Sequence, residues 1–529
     1  MNRRNFLKNM ALTAGSISPL ARIGSLGLLT SSSFAAPSSG YKAMVVIHLY
    51  GGNDAMNMFV PTDDISNGFY NSYQTARPSI AVENLNLISD TAKKLKDSDC
   101  PTITVSSGAG NPYYARTTDV EKYPEDIDAM YRKGSYHTGD GLGINGMMPE
   151  FAELYRTGKL SIVSNVGTLV KPTTKADIEA GNAELPLFLF AHNHQQREIQ
   201  TAIANKLDNT GWAGKLADAW KVNGSVGLNI SYSGVNRMVI GKTTTPLTMR
   251  SSGPTSYKTT GAPNGEKIGT FLKTTANSTT STNMFESFYA KSSKVASELS
   301  DLLTTAWASG PDISGQGSNS YGQPIFSAPS LDDIGFSDGH GLKHDISEKL
   351  EAVAKMIKIG KDNLGHNRQV FYVSLGGFDS HSGQAEDHAT NLRSLSMAVN
   401  DFNTALESMQ LSENVLTLNT SDFGRSMQSN GDGTDHGWAG HSFMLCGDPT
   451  FQGGKTFGTV LDDVALDSIQ AYTRKARFIP TTSIEQMLAP TLDWFGVDES
   501  LMATVFPNLS NFKTDVSNYK SSFLSGVFA

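Results

Sequence analysis

The chain has 529 residues and a formal net charge of −8, with 43 Lys and Arg against 51 Asp and Glu. That balance, with no basic cluster anywhere along it, excludes nucleic acid as a partner, because such binding rests on phosphate contacts. Its two cysteines, Cys100 and Cys446, are too few for a disulfide framework, although a single bridge between them stays open.

The amino terminus reads Arg3-Arg4-Asn5-Phe6-Leu7-Lys8, a twin arginine ahead of a Phe-Leu pair, which is the signal taken up by the twin-arginine translocase. A modestly apolar stretch runs from Met10 to Leu29 and ends near Ser33-Phe34-Ala35-Ala36, a small-residue site suited to signal peptidase. Gly15, Arg22, Gly24 and Gly27 interrupt that stretch, whereas a spanning helix needs about 20 mainly apolar residues. Residues 1–36 are therefore expected to be an export signal, and residues 37–529 a domain that works in the periplasm or is secreted. No second apolar run of spanning length follows, so the mature chain is expected to carry no membrane span.

Ala43-Met44-Val45-Val46-Ile47-His48-Leu49 ends at Gly51-Gly52 and reads as a strand buried on both faces. Residues 149–155 have helical spacing and stop at Gly158, a suitable C-terminal cap. Leu160 to Val166 is a second strand, and Gln195–Ala204 and Trp212–Trp220 read as helices. From about Asn223 to Gly341 the pattern lapses into Ser, Thr and Gly, apart from a helix around Met284–Ala306, and the stretch reads as an insertion or cap. Order returns with a helix at Ile346–Ile359, strand Gln369–Leu375, helix Ala389–Met409, strand Val415–Asn419 and strand Ser442–Leu445. Cys446 closes that last apolar run and reads as a small buried hydrophobe. Helices alternating with buried strands give an α/β domain with a largely parallel sheet.

Unusual polar clusters fall beside the strand ends, where open α/β sheets place their ligands. Gly51-Gly52-Asn53-Asp54 follows the first strand, Gly376-Gly377-Phe378-Asp379-Ser380-His381 the strand ending at Leu375, and Ser421-Asp422-Phe423-Gly424-Arg425 the strand ending at Asn419. Gly433-Thr434-Asp435-His436-Gly437 precedes the last strand. Each could be merely a turn or a helix cap, but four together point to one site. Asp and His suit Zn, Mn, Mg or Ca, and glycine lets the backbone approach a bound group. A fifth cluster, His192-Asn193-His194-Gln195-Gln196, sits before a helix expected to begin near Gln195, where exposed amides could meet an anion or His192 and Asn193 could simply cap the helix.

The order Gly-Gly-Asn-Asp, His-Asn-x-Gln-Gln, Gly-Gly-Phe-Asp-x-His, Ser-Asp-Phe-Gly-Arg, Gly-Thr-Asp-His-Gly resembles the exported bacterial family catalogued as domain of unknown function 1501. That family is similar to the alkaline phosphatase and sulfatase superfamily. The resemblance implies an alkaline-phosphatase-like sandwich across nearly the whole mature chain, with one or two divalent ions serving hydrolysis of a small-molecule or polymer phosphate or sulfate ester. Carried over by motif, Asp54, Asp379, His381, Asp422 and His436 would be metal ligands, Arg425 or His192 would stabilise charge, and Asn53 and Asn193 would contact ligand. Two departures stand out. Phe423 replaces the histidine of the usual Asp-His-Gly, and Ala191 replaces a serine that many relatives carry before His-Asn. They leave open a non-catalytic protein that uses the same fold for metal binding, ligand binding or assembly.

Overall fold

A computed structural model of the chain describes residues 37, 40–64, 68–87, 131–224, 226–255, 264–278, 282–319, 322–327, 342, 344–473 and 475–529. The expected export signal at residues 1–36 and Cys100 lie outside the described residues, as does part of the 223–341 stretch.

Among the described residues, nine strands form the main sheet: β1 (Lys42–Leu49), β2 (Leu160–Gly167), β3 (Asn229–Ser231), β4 (Leu247–Thr248), β5 (Arg368–Leu375), β6 (Val415–Ser421), β7 (Gly440–Cys446), β8 (Thr456–Phe457) and β9 (Thr482–Ser483). Their order is β8-β2-β7-β6-β1-β5-β3-β4, with β9 also pairing with β2. Every pairing is parallel except those of β7, which runs antiparallel to both β2 and β6. The helices include α1 (Pro149–Arg156), α2 (His192–Thr201), α3 (Trp212–Trp220), α4 (Gly265–Ser278), α5 (Met284–Ala308), α6 (His344–Asp362), α7 (Gln384–Ser408) and α8 (Ile484–Phe495).

Period-two alternation along β1 divides its side chains between two cores. Val45, Ile47 and Leu49 join Phe371, Val373 and Leu375 beneath α1, α6 and α7, whereas Met44 and Val46 join Val370, Tyr372, Leu416 and Leu418 beneath α3 and α8. The result is a sandwich of helices on both faces of a largely parallel sheet, as the alternation of the sequence implies. Cys446 lies in the second core, a free thiol that burial pushes up to about 12.

Two expectations change. The helix expected from Gln195 begins at His192, because Ala191 takes the extended conformation of an N-cap and its carbonyl accepts from the amides of His194 and Gln195. The 223–341 stretch is not wholly an insertion: Asn229–Ser231 pairs in parallel with Val370–Tyr372 and extends the sheet. Three residues are too few to show a strand period in a Ser- and Gly-rich sequence.

Register places the site. β1 is central, and Leu49 lies opposite Leu375 on one side and Ser421 on the other, so the loops after β1, β5 and β6 leave the sheet at one edge. β7 enters at that same edge, since it is antiparallel to β6. Ahead of it, Arg425–Ser429 and Thr434–His436 form a short antiparallel ribbon that sets Arg425 opposite His436.

Candidate metal centre

The loops at this edge are held against one another by backbone contact. Gly51 and Gly52 have φ of +113° and +80°, a region that disfavours L side chains. A Cβ on Gly51 would strike the amide of Asp379, and one on Gly52 would strike the Phe423 ring. Arg425 locks the arrangement: Nε donates to Gly52 O at 2.8 Å, Nη1 to Thr434 O at 3.1 Å, and Nη2 to Gly51 O, Phe378 O and Asp379 Oδ1 at 2.8, 2.8 and 2.6 Å. Its guanidinium is buried and turned to these partners, so Arg425 positions Asp379.

Three imidazoles converge on Asp379. His192 Nε2 lies 3.1 Å from His436 Nε2, and His381 Nε2 lies 3.0 Å from that same His436 atom. Asp379 Oδ1 is 3.0 Å from His381 Nε2 and 3.3 Å from His436 Nε2, and Oδ2 is 3.4 Å from His192 Nε2. The ligand atoms of His192, Asp379 and His436 all lie within 4.8 Å of one another, and His381 abuts two of the three.

The far side of each ring decides what this cluster can do. His192 Nδ1 is 2.8 Å from Asp422 Oδ2, and His436 Nδ1 is 2.8 Å from the carbonyl of Phe190. An ionised carboxylate and a backbone carbonyl only accept, so both Nδ1 atoms carry the hydrogen. With both rings neutral, the two Nε2 lone pairs would face each other at 3.1 Å, a repulsion relieved by a metal ion between them or by a proton on one ring. Nε2 ligands on a tetrahedral zinc ion, with Zn–N near 2.0–2.1 Å, stand about 3.3 Å apart. The donor set therefore fits a divalent metal with His192, His436 and Asp379 as ligands and His381 at its margin. Asp379 and His381 have side chains 47% and 46% exposed, so the centre opens to solvent.

Behind the ligands, Asp422 accepts from four donors: His192 Nδ1, Gly51 N at 3.1 Å, His48 Nε2 at 2.9 Å and Gln196 Nε2 at 3.2 Å. Burial opposes its ionisation, but the bonds from His192 and His48 prevail and hold its carboxyl far below the usual range. The bond to Asp422 in turn raises the pKa of His192 against partial burial, whereas burial lowers that of His436. Burial also opposes ionisation of Asp379, and the Arg425 guanidinium overcomes it and lowers the pKa. Carboxylate–histidine–metal relays of this kind fix both tautomer and ring direction.

Of the residues expected to act, the structure brings together His192, Asp379, His381 and His436. Asp422 stands behind His192 as its hydrogen-bond acceptor, not among the ligand atoms, because its lone pairs are all occupied. Asp54 is not among the converging atoms either: it is buried, its Oδ2 pairs with Arg77 at 2.6 Å and also accepts from Gln384, and its Oδ1 has no hydrogen-bond partner among the described residues. Asn53 is buried and bonds through Oδ1 to His388 Nε2 at 2.8 Å, which leaves it structural. Asn193 is exposed in the first turn of α2. Phe423 packs its ring 4.7 Å from both His192 and His436, buttressing the imidazoles at the position where the usual motif has a histidine. Sequence reasoning missed His48, Gln196 and the carbonyl of Phe190. A lone histidine inside the apolar run of β1 was the one signal available for the first.

The family model described as Protein of unknown function (DUF1501) matches residues 360–488, the segment that carries Asp379, His381, Asp422, Arg425 and His436, and bears out the resemblance in the motifs. No curated protein matches the chain. Among solved structures, Ps i-CgsB is 12% identical with a TM-score of 0.30, covering 70% of this chain and 72% of its own. A 6S-sulf protein from a Bacteroides thetaiotaomicron locus for metabolism of multiple glycosaminoglycans is 12% identical, with a TM-score of 0.27 and coverage of 68% and 76%. A 2-O GAG sulfatase is 13% identical, with a TM-score of 0.23 and coverage of 73% for both chains.

Proposed function

We propose that this chain is an exported metal-dependent hydrolase of phosphate or sulfate esters. The observation that carries the reading is the pair of imidazoles, each with its Nδ1 hydrogen fixed by an acceptor, whose Nε2 atoms meet at 3.1 Å beside Asp379. Two imidazoles, a carboxylate and an open side favour zinc of the catalytic kind, in which the fourth position is left free. Bound there, the ion would polarise an anionic ester oxygen and offset its charge.

The chain's own residues supply orientation. Asp422 and the Phe190 carbonyl hold the imidazoles in the ligating tautomer, Arg425 holds Asp379, and Phe423 keeps water from the back of the rings. The start of α2 adds a favourable field for an anion beside His192, since the first amides of a helix lack partners within it. No hydroxyl is presented there, because the N-cap is Ala191. Thr174, another hydroxyl near in sequence, caps the helix Lys175–Glu179 instead, and Thr168 is buried. In this reading the attacking oxygen comes from solvent.

Ala191 and the buried Arg425, which is turned to backbone carbonyls and Asp379, favour a second reading, a metal centre that binds without turnover. The two are separated by metal analysis of natively exported protein, followed by assay against aryl phosphates and sulfates with Ala191→Ser alongside. Metal-dependent turnover by the natural chain supports hydrolysis. Turnover only in Ala191→Ser, or in neither with metal bound, supports binding.

A further inference from the structure

The carbonyl that fixes the tautomer of His436 belongs to a residue in an unusual conformation. Phe190 has φ of +70°, in the left-handed region that a bulky L side chain occupies only when its surroundings hold it there. In that conformation its carbonyl accepts from His436 Nδ1 at 2.8 Å, and its amide donates to Gln195 Oε1 on α2. Glycine could make both bonds without strain, so what a phenylalanine adds here is its ring.

The ring is half-buried against the apolar cluster around Trp438 and stacks on Tyr472, with 6.1 Å between ring centroids. Over it lies Arg477, whose guanidinium carbon is 4.6 Å from the ring centroid. The same guanidinium reaches His436 by a second route. Its Nε donates to the main-chain carbonyl of His436, and Nη1 donates to Thr473 Oγ1 at 3.3 Å. Backbone bonds seat Arg477 on both sides: Ala476 O accepts from Met427 N at 3.0 Å, and Phe478 O accepts from Ala439 N at 3.1 Å. One cation therefore holds both the main chain of His436 and the residue that orients its imidazole. A planar guanidinium stacks on a ring while donating in its own plane, which a lysine ammonium does not reproduce.

We propose that Arg477 is a positioning residue for the metal centre. By clamping the Phe190 ring it keeps the Phe190 carbonyl on His436 Nδ1, and so keeps a bare Nε2 turned towards Asp379 and His192. The proposal deepens the metal-centre reading, on which only its zinc measurement rests. The test uses the natively exported protein freed of metal, deuterated and carrying isotope-labelled histidine, at mildly alkaline pH. Ring-nitrogen chemical shifts report which nitrogen carries the hydrogen, and a His436→Gln spectrum assigns the signal. The natural protein should carry it on Nδ1 of His436 alone. Arg477→Lys and Phe190→Leu should each move part of the population to hydrogen on Nε2. Each should also lower zinc affinity about tenfold or more in chelator competition, the scale of losing a partner behind a ligating histidine. Phe190→Tyr keeps a π face for the cation and should match the natural protein in both measurements. Circular dichroism and melting show which variants fold, and either of the first two suffices for the comparison. A tautomer unchanged in the folded variants, or hydrogen on Nε2 in the natural protein, overturns the proposal. So does unchanged zinc affinity in variants whose tautomer has shifted. A tautomer that follows the variants in a protein that binds no zinc upholds the clamp and removes the metal reading. Tight zinc binding with an indifferent tautomer does the reverse.

Discussion

Replacing Asp422 by Asn tests whether orientation behind the ligands governs the centre. The carboxylate accepts from four donors, two on each oxygen: Gly51 N and His192 Nδ1 on Oδ2, His48 Nε2 and Gln196 Nε2 on Oδ1. An amide turned either way points its NH₂ at two of those donors. One charge-assisted pair is thereby lost on whichever side the nitrogen takes, at about 1.5–3 kcal/mol per bond. Loss of such a partner behind a ligating histidine reduces metal affinity about 10–100-fold. The assay is competition for zinc against a chromophoric chelator, with circular dichroism and melting of the metal-free variant to show that it folds. In the metal-free protein, NMR titration should find the pKa of His192 fallen toward its ordinary value, because the bond to Asp422 is the main cause of its rise. A folded variant that keeps its zinc affinity within about twofold, well short of that range, would refute the reasoning.

Asp54→Asn should leave zinc affinity unchanged yet destabilise the fold by about 3–5 kcal/mol, because it strands the buried Arg77 guanidinium; loss of zinc without loss of stability would return Asp54 to the ligand set. Glu485 is fully buried, and burial outweighs weak help from Ser483 and Asn508 to push its pKa up to about 8. The folded state thus keeps a proton the unfolded chain has released, so stability is intact below about pH 4.5 and lost as pH rises towards 8. Glu485→Gln should flatten that decline and stabilise the protein at pH 8 by up to about 3–5 kcal/mol in denaturant titration, whereas an unchanged pH slope would count against it. Arg3→Lys with Arg4→Lys should hold the chain in the cytoplasm by fractionation, and normal export would mean that the signal is misread.

The fold was legible because its central strands are buried on both faces and announce themselves as apolar runs. Lys42–Leu49, Leu160–Gly167 and Arg368–Leu375 each match the expected strand to within a residue or so. What could not be read was any element held by its neighbours instead of its own pattern. Asn229–Ser231 is a strand because β5 offers an edge, and α2 starts early because Ala191 happens to lie extended. Neither cause is local in sequence.

The site divides along the same line. His436 and Asp379 were legible as candidate ligands, and the fold brings them together, because each is a potential donor placed beside a strand end by a glycine-rich turn. Asp54 and Asp422 satisfy that description equally well, yet neither joins the cluster, and the partners that hold them lie elsewhere in the chain. Asp54 meets Arg77, a partner 23 residues away, and Asp422 meets His48, a partner 374 residues away. A carboxylate becomes a ligand only if the fold leaves it a free lone pair facing other donors, and that depends on which cations and N–H groups reach it first. Motif matching cannot see that competition. Phe423 shows the same logic from the other side. Its ring fills the space above Gly52 and packs on both imidazoles, so the loss of a histidine from the usual motif is offset by a firmer seat for the ones that remain. A centre with fewer ligands but more tightly held ones is what an open, three-ligand site requires, and it is compatible with hydrolysis even though Ala191 contributes no nucleophile.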